Sequence, residues 1–154
     1  AFGDGRVSAG WLHFFSMANS AVRRDLLERY PFDTGIQYSE DIDWSYRMRS
    51  LGHKIVYVPD ASAMHSHNYT LGQSYRRHFG EGKAEAWIFR NGELNTTFLR
   101  YCILPLGREV LRDLGWSVRR ASVDALFYSV PLRAVQKWGR WQGLKSGRNS
   151  YGIS

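Results

Sequence analysis

Residues 39–47 read SEDIDWSYR, and this acidic stretch decides how the middle of the chain is expected to fold. Its three carboxylates belong to Glu40, Asp41 and Asp43. Trp44, Met48 and Leu51 follow at positions i, i+4 and i+7, and Gly52 comes next as a stop signal. The pattern predicts a helix over residues 40–51 whose first turn carries the acids.

Carboxylates on the first turn of a helix have two interpretations. The free N–H groups and the dipole of a helix favour negative charge there, so the acids can simply cap the helix. A carboxylate held in this way can also act as a general base, provided that the site offers an acceptor hydroxyl and a leaving group. The acidic stretch alone leaves both interpretations open.

The segments around the acidic stretch narrow the choice. Upstream, residues 15–27 read FSMANSAVRRDLL and residues 30–33 read YPFD; downstream, residues 51–61 read LGHKIVYVPDA and residues 65–67 read HSH. This succession resembles the second half of a family 2 glycosyltransferase domain of the GT-A fold, close to the rhamnosyltransferase-like members. The resemblance ends at about Asn91.

The resemblance implies an α/β fold. We expect residues 1–96 to form the acceptor-side half of a GT-A catalytic domain, a short mixed sheet with flanking helices. Residues 55–58 are predicted to be a buried strand of that sheet, because they are apolar and are followed by a proline. Residues 97–154 are predicted to form a basic amphipathic helical tail.

In the family, a nucleotide-binding half comes first and ends in a D-x-D metal motif. No such motif precedes Asn19, and the D-x-D letters at residues 41–43 occupy the position of the catalytic base. We therefore expect the chain to be a C-terminal part of a longer transferase that lacks most of the donor site. Such a part is expected to be inactive in isolation.

Several site residues follow from the resemblance. Asp41 corresponds to the catalytic base of an inverting transfer, and Glu40 would orient Asp41 or contact the acceptor. Asp43 is interpreted as a helix cap or a support for the site. Trp44 is a candidate platform for the acceptor sugar, although its place in the apolar stripe fits core packing equally well. Asn19 is a candidate contact to acceptor or donor, with turn formation as its alternative.

A histidine after the extended segment completes the divalent-metal site in related enzymes. His65 is the preferred candidate, and His67 on the same strand face is a substrate-binding candidate. The alternative is that both are surface histidines, since a lone H-x-H pair is weak evidence for a metal. The cation, Mg or Mn, is expected only together with the missing N-terminal half.

Residues 73–77 read QSYRR and are similar to the Q-x-x-R-W motif of processive polysaccharide synthases. Arg77 stands where the motif has tryptophan, which argues against processive synthesis. Arg76 and Arg77 remain candidates for binding a diphosphate or a lipid phosphate, because a guanidinium matches phosphate oxygens in a bidentate way. The alternative is a solvated basic face.

The net charge of +7 lies entirely in the tail. Residues 1–96 carry eleven basic and eleven acidic side chains, whereas residues 97–154 carry ten basic and three acidic ones. Apolar residues interleave with these arginines, and Pro105, Gly115 and Pro131 are expected to punctuate the tail helices. We expect the tail to bind an anionic membrane surface, with packing on the domain or an oligomer interface as alternatives.

The function predicted from sequence is an inverting, metal-dependent transfer of sugar from a nucleotide-diphosphate sugar to a glycan or lipid-linked acceptor. The expected location is the cytoplasmic face of the cell membrane. The alternative is a non-catalytic basic module whose tail binds membrane or nucleic acid, of which nucleic acid is the less favoured partner. Asp41 and His65 converging on one cleft would distinguish the first function from the second.

Overall fold

The computed structural model describes residues 15–56, 58, 60–61, 63–65, 67–91, 97–121 and 123–153, without the side chains of 123–126. These residues form two compact units, Ala1–His67 and Asn68–Ser154, called the first and second unit below. The first unit contains a 3₁₀ helix at Met17–Asn19, α1 at Arg24–Arg29 and α2 at Glu40–Ser50. The second unit contains α3 at Leu71–Ile88, a π-helical turn at Leu99–Ile103, α4 at Leu104–Arg120 and α5 at Val123–Tyr151.

The predicted mixed sheet is wrong: the described residues contain helices and no strand. At the predicted strand 55–58, Val56 and Val58 are exposed rather than buried, and Tyr57 lies outside the described residues. A strand needs a neighbour to accept and donate its backbone hydrogen bonds. Apolar residues alone identified the segment, and no described segment supplies that neighbour.

The predicted acidic helix is confirmed as α2, which spans Glu40–Ser50. Ser39 turns the chain into the helix from a left-handed conformation with φ 60°, and its carbonyl accepts from Asp43 N at 3.0 Å. Gly52, with φ 87°, ends the helix as predicted. Its N–H donates to Arg49 O and His53 N donates to Met48 O, the pair of bonds that defines a Schellman motif.

Two side chains of α2 fasten it to the turn that precedes it. Trp44 is 4% exposed, and its indole N–H donates to the carbonyl of Tyr30. Arg47 donates to the carbonyl of Pro31 at 2.9 Å and pairs with the buried Asp43 at 2.8 Å. Burying these polar groups is favourable only because each has a partner. The core of the first unit therefore depends on α2.

In the second unit, α3 and α5 run parallel and lie in close contact. Three glycines of α5, spaced four residues apart, face carbonyl oxygens of α3, in the pairs Gly139 with Tyr75, Gly143 with Phe79, and Gly147 with Lys83. Residue numbers rise together along both helices, which establishes the parallel direction. A methyl group at Gly143 would lie 1.9 Å from Phe79 O. Only glycine permits so close a backbone approach.

α4 returns antiparallel to α5. Asp113 binds Arg133 at 2.9 Å, and Glu109 binds Lys137 at 2.6 Å, so residue numbers rise along one helix as they fall along the other. The tail helices are thus present as expected. They continue through Gly115 in α4 and through Pro131 in α5, so neither residue ends a helix. Tertiary packing on both sides offsets the single hydrogen bond that a proline removes.

A buried polar contact joins the π-helical turn to α3 and α5. Tyr101 donates its hydroxyl to Glu85, which also pairs with Arg140 at 2.8 Å. Burial, reinforced by the Glu85 carboxylate, raises the pKa of Tyr101 well above its ordinary value. Tyr101 therefore stays a neutral donor.

Replacing Gly143 with alanine is expected to lower the free energy of unfolding by about 1–3 kcal/mol, because the added methyl meets the backbone of α3. The matched control is Gly115→Ala in α4, where a methyl meets nothing within 4 Å. That change should raise stability by about 0.5–1 kcal/mol, because alanine is the better helix former. Urea unfolding of residues 1–154 measures both. Equal stability of the two variants would contradict the close packing of α3 on α5.

Replacing Asp43 with asparagine is expected to cost about 1–3 kcal/mol of stability, because the buried partner of Arg47 loses its charge. The control is Asp25→Asn, which breaks an ion pair of similar length, 2.6 Å, between exposed side chains. The control should leave the urea midpoint unchanged, since exposed ion pairs contribute little. A midpoint for Asp43→Asn that matches the control would show that α2 does not depend on this pair.

Candidate functional site

Asp41 lies on the first turn of α2, half-buried, with both carboxylate oxygens near backbone donors. Its Oδ2 accepts from Met17 N at 3.1 Å, and its Oδ1 accepts from Ile42 N at 2.9 Å. Carboxylate oxygens have more than one lone pair each, so these bonds leave capacity for a substrate hydroxyl. The bond to Ile42 also fits the capping interpretation, so Asp41 serves the helix whether or not it serves chemistry.

Asn19 lies close to Asp41 in the fold. The 3₁₀ helix that contains both Met17 and Asn19 donates from Met17 N to Asp41, and the Asn19 side-chain amide donates to Ala61 O at 2.8 Å. The short helix therefore joins α2 to the segment that leads toward the histidines. Asn19 is exposed. Its structural role and a contact to substrate are compatible.

The three acids of α2 have three different environments. Glu40 is exposed, Asp41 is half-buried, and Asp43 is 5% exposed and bound to Arg47. Asp43 is thus occupied by the fold, as the sequence suggested when it was interpreted as a support. Glu40 and Asp41 remain on the solvent side, where a substrate can reach them.

Trp44 is buried between two other aromatic rings. The centroids of Phe15 and Phe32 each lie 6.1 Å from the Trp44 ring, and its N–H is bound to Tyr30. A sugar stacks only on an exposed ring face. The burial of Trp44 therefore supports the packing alternative for this residue.

His65 and His67 are both exposed, and their rings meet edge to face with centroids 4.3 Å apart. This proximity agrees with the expectation that they project to the same side. Within the described ranges, no three His, Cys, Asp or Glu side chains converge as a metal site would require. The imidazoles can contribute to a cation site, but these residues alone do not complete one.

Arg76 and Arg77 belong to α3 in the second unit. Arg76 is exposed. Arg77 is engaged by Glu81 at 2.9 Å and by the Tyr69 hydroxyl at 2.7 Å, and its guanidinium lies over the Tyr69 ring. Arg77 thus links α3 to Tyr69, which lies just before the helix. Arg76 is accessible to a phosphate from solvent.

A pocket of about 310 Å³ lies beside the C-terminal half of α2. It is lined by Tyr30, Tyr46, Arg47, Met48, Ser50 and Leu51. Asp41 is not among these residues, and Arg47 is committed to Asp43 and Pro31. The pocket is therefore separate from the proposed chemistry of the acidic turn.

Sequence reasoning missed two features of this region. The backbone N–H of Met17 as a partner of Asp41 could not be anticipated, because it depends on tertiary structure rather than on a side chain. The Asp43–Arg47 pair did carry a signal: an acid four residues before an arginine on a helix favours an ion pair. That spacing separates Asp43 from the other two acids.

Comparison with known proteins identifies the segment that carries these residues. A family model described as "Glycosyltransferase like family 2" matches residues 8–84, which include every candidate site residue and exclude the tail. No solved structure gives a significant match.

Two curated relatives are both described as O-antigen chain rhamnosyltransferases. WbaN of Salmonella anatum is 38% identical over 84 residues, and RfbN of Salmonella typhimurium strain LT2 is 33% identical over 82 residues. Each match covers 51% of this chain but only 26% of the relative's length. The predicted resemblance is confirmed: the chain belongs to the family 2 glycosyltransferases and is similar to their rhamnosyltransferase members.

Proposed function

We propose that this chain contributes the acceptor-side residues of an inverting sugar transfer from a nucleotide-diphosphate sugar. The single observation that carries the proposal is the position of Asp41. It is a half-buried carboxylate on the first turn of α2, within the family-matched segment, fixed from one side by Met17 N. A fixed carboxylate with free lone pairs is what a general base requires.

In the proposed reaction, Asp41 takes the proton from an acceptor hydroxyl as that oxygen attacks the anomeric carbon. The bond between the anomeric carbon and the nucleotide diphosphate breaks on the opposite face, so the configuration inverts. Glu40, one residue away and exposed, would hold the acceptor or orient Asp41. Asn19 is the last residue of the 3₁₀ helix that contains Met17, and it offers its side-chain amide oxygen to the substrate.

A divalent cation, Mg or Mn, would offset the negative charge on the leaving diphosphate. His65 is the described residue that we assign to that cation, and His67 lies against it. Among the described residues no three such ligands converge, and in this scheme the donor diphosphate supplies further oxygen ligands. Arg76, which belongs to the second unit, is a separate candidate for binding a phosphate.

The relatives' names support a rhamnosyl donor and a growing O-antigen-type glycan as acceptor. We also propose that the acceptor glycan is linked to a lipid. The non-catalytic alternative is less favoured for residues 8–84, because the match to a transferase family includes the acidic turn. It remains relevant to the tail, which lies beyond that match.

The test replaces Asp41 with asparagine in an intact transferase that carries this sequence. We expect kcat to fall ~10²–10⁴-fold, because the general base is lost while the shape is kept. The affinity for the nucleotide sugar, measured by calorimetry, should change little. The residue would not be the base if the variant transferred sugar at the wild-type rate.

The control for this test is Asp25→Asn, which removes an exposed carboxylate of α1 that pairs with Arg23. It should leave kcat unchanged. A comparable loss in both variants would indicate a general effect of charge rather than base catalysis. Circular dichroism of each variant verifies that the overall helix content is retained.

A further inference from the structure

The outward face of α4 is apolar, although this helix has a protein neighbour on its other side. Leu104, Leu111, Leu114 and Val118 recur at helical spacing and are between 40% and 72% exposed. They form one stripe, called the leucine stripe below, about 21 Å long at 1.5 Å per residue. A soluble helix ordinarily turns such a stripe toward its packing partner.

The face of α4 that packs on α5 is instead charged. Glu109 and Asp113 point to α5 and bind Lys137 at 2.6 Å and Arg133 at 2.9 Å. Their carboxylates are about one fifth exposed. The usual arrangement is reversed, with the acids inside and the leucines outside. The leucine stripe thus needs a cover other than α5.

Arginines flank the leucine stripe. Arg108, Arg112 and Arg119 are exposed, and they follow Leu104, Leu111 and Val118 by one or four positions, which places them in a neighbouring row. Arg112 lies 3.9 Å from Asp113, but that carboxylate is already bound more closely by Arg133. Apolar residues beside a row of cations are typical of a helix that lies in a membrane interface.

We propose that α4 docks on an anionic lipid bilayer, with the leucine stripe among the acyl chains and the arginine row at the lipid phosphates. Charge decides between the occupants. The outward face of α4 has arginines and no acid, so a second copy of the chain would place like charges together. A nucleic acid would match the arginines but would leave the leucines in water.

Two tryptophans of α5, Trp138 and Trp141, make aromatic contacts within the second unit. Both rings pack against Phe98, with ring centroids 5.9 and 4.8 Å away. Trp141 is half-buried by these contacts, whereas Trp138 remains 44% exposed. None of the described helices has the length and apolar character required to cross a bilayer. The proposed contact is accordingly peripheral.

The experiment is co-sedimentation of residues 1–154 with vesicles of phosphatidylcholine alone or with about one third phosphatidylglycerol. We expect binding to the anionic vesicles only, and release as NaCl rises from about 0.1 to 1 M and the Debye length shrinks from ~10 to 3 Å. Absence of binding, or equal binding to both vesicles, overturns the proposal.

The arginine row is tested by Arg108→Gln, Arg112→Gln and Arg119→Gln combined. Loss of three lipid-facing cations should lower the partition coefficient on the order of a hundredfold. The control removes the same charge from exposed residues of the first unit, through Arg23→Gln, Arg24→Gln and Arg29→Gln. The control should partition nearly as the wild type does. Equal loss in both triple variants would mean that net charge, not this face, binds the membrane.

The leucine stripe is tested by the double variant Leu111→Gln with Leu114→Gln. The control is Leu51→Gln with Val56→Gln, which replaces two exposed apolar residues of the first unit. The stripe variant should bind anionic vesicles at least roughly tenfold more weakly, and the control should not. Sedimentation velocity without lipid distinguishes the competing occupant. A wild-type dimer that the stripe variant dissociates would establish a second copy as the cover and would overturn the membrane proposal.

Discussion

Asp43 and Arg47 form the ion pair that holds α2 against the turn before it, and the arrangement of the candidate site depends on this pair. The carboxylate is buried, and the arginine also binds the carbonyl of Pro31. Because a buried carboxylate is tolerated only with partners, the pair fixes which face of α2 points inward. Glu40 and Asp41 then point elsewhere, where Met17 N meets Asp41. The division of the acids into structural and candidate catalytic groups follows from that orientation.

The second unit uses a different constraint, which is backbone contact rather than charge. Gly139, Gly143 and Gly147 let α5 approach α3 so closely that a Cβ at each position would lie 2.8, 1.9 and 2.8 Å from a carbonyl oxygen of α3. In α4, by contrast, the leucine stripe is exposed, and the acids form ion pairs with α5.

Local signals in the sequence predicted the helices well. The predicted stop at Gly52 corresponds to the hydrogen bonds of a Schellman motif. In the structure, Thr70 begins α3 with a capping box that includes Gln73. The predicted sheet failed because a strand at residues 55–58 requires a distant neighbour, which local apolar character cannot establish. The burial of Trp44 and the contact of Asp41 with Met17 N also depend on tertiary structure. The sequence left two interpretations of Trp44 open, and it did not predict the Met17 contact. Asp41 was identified as the candidate base from the order of motifs along the sequence, which does not depend on tertiary contacts.

The division of the chain also reflects distant contacts. The predicted boundary at residue 96 followed the change in charge. The compact units divide in sequence between His67 and Asn68, because α3 packs with the tail helices. The charge of a segment indicates which partners it can bind, whereas the spacing of glycines indicates which helices pack together. The two criteria need not divide a chain at the same residue.

The central claim is that Asp41 accepts the proton of the acceptor. Its most direct test is the distance between an Asp41 carboxylate oxygen and the reacting hydroxyl, in a crystal structure of an intact transferase carrying this sequence with acceptor and an unreactive donor analogue. The account predicts a separation of about 2.6–3.2 Å, the reach of a general base. A hydroxyl held by a different base, with Asp41 bound only to Met17 N and Ile42 N, would contradict it.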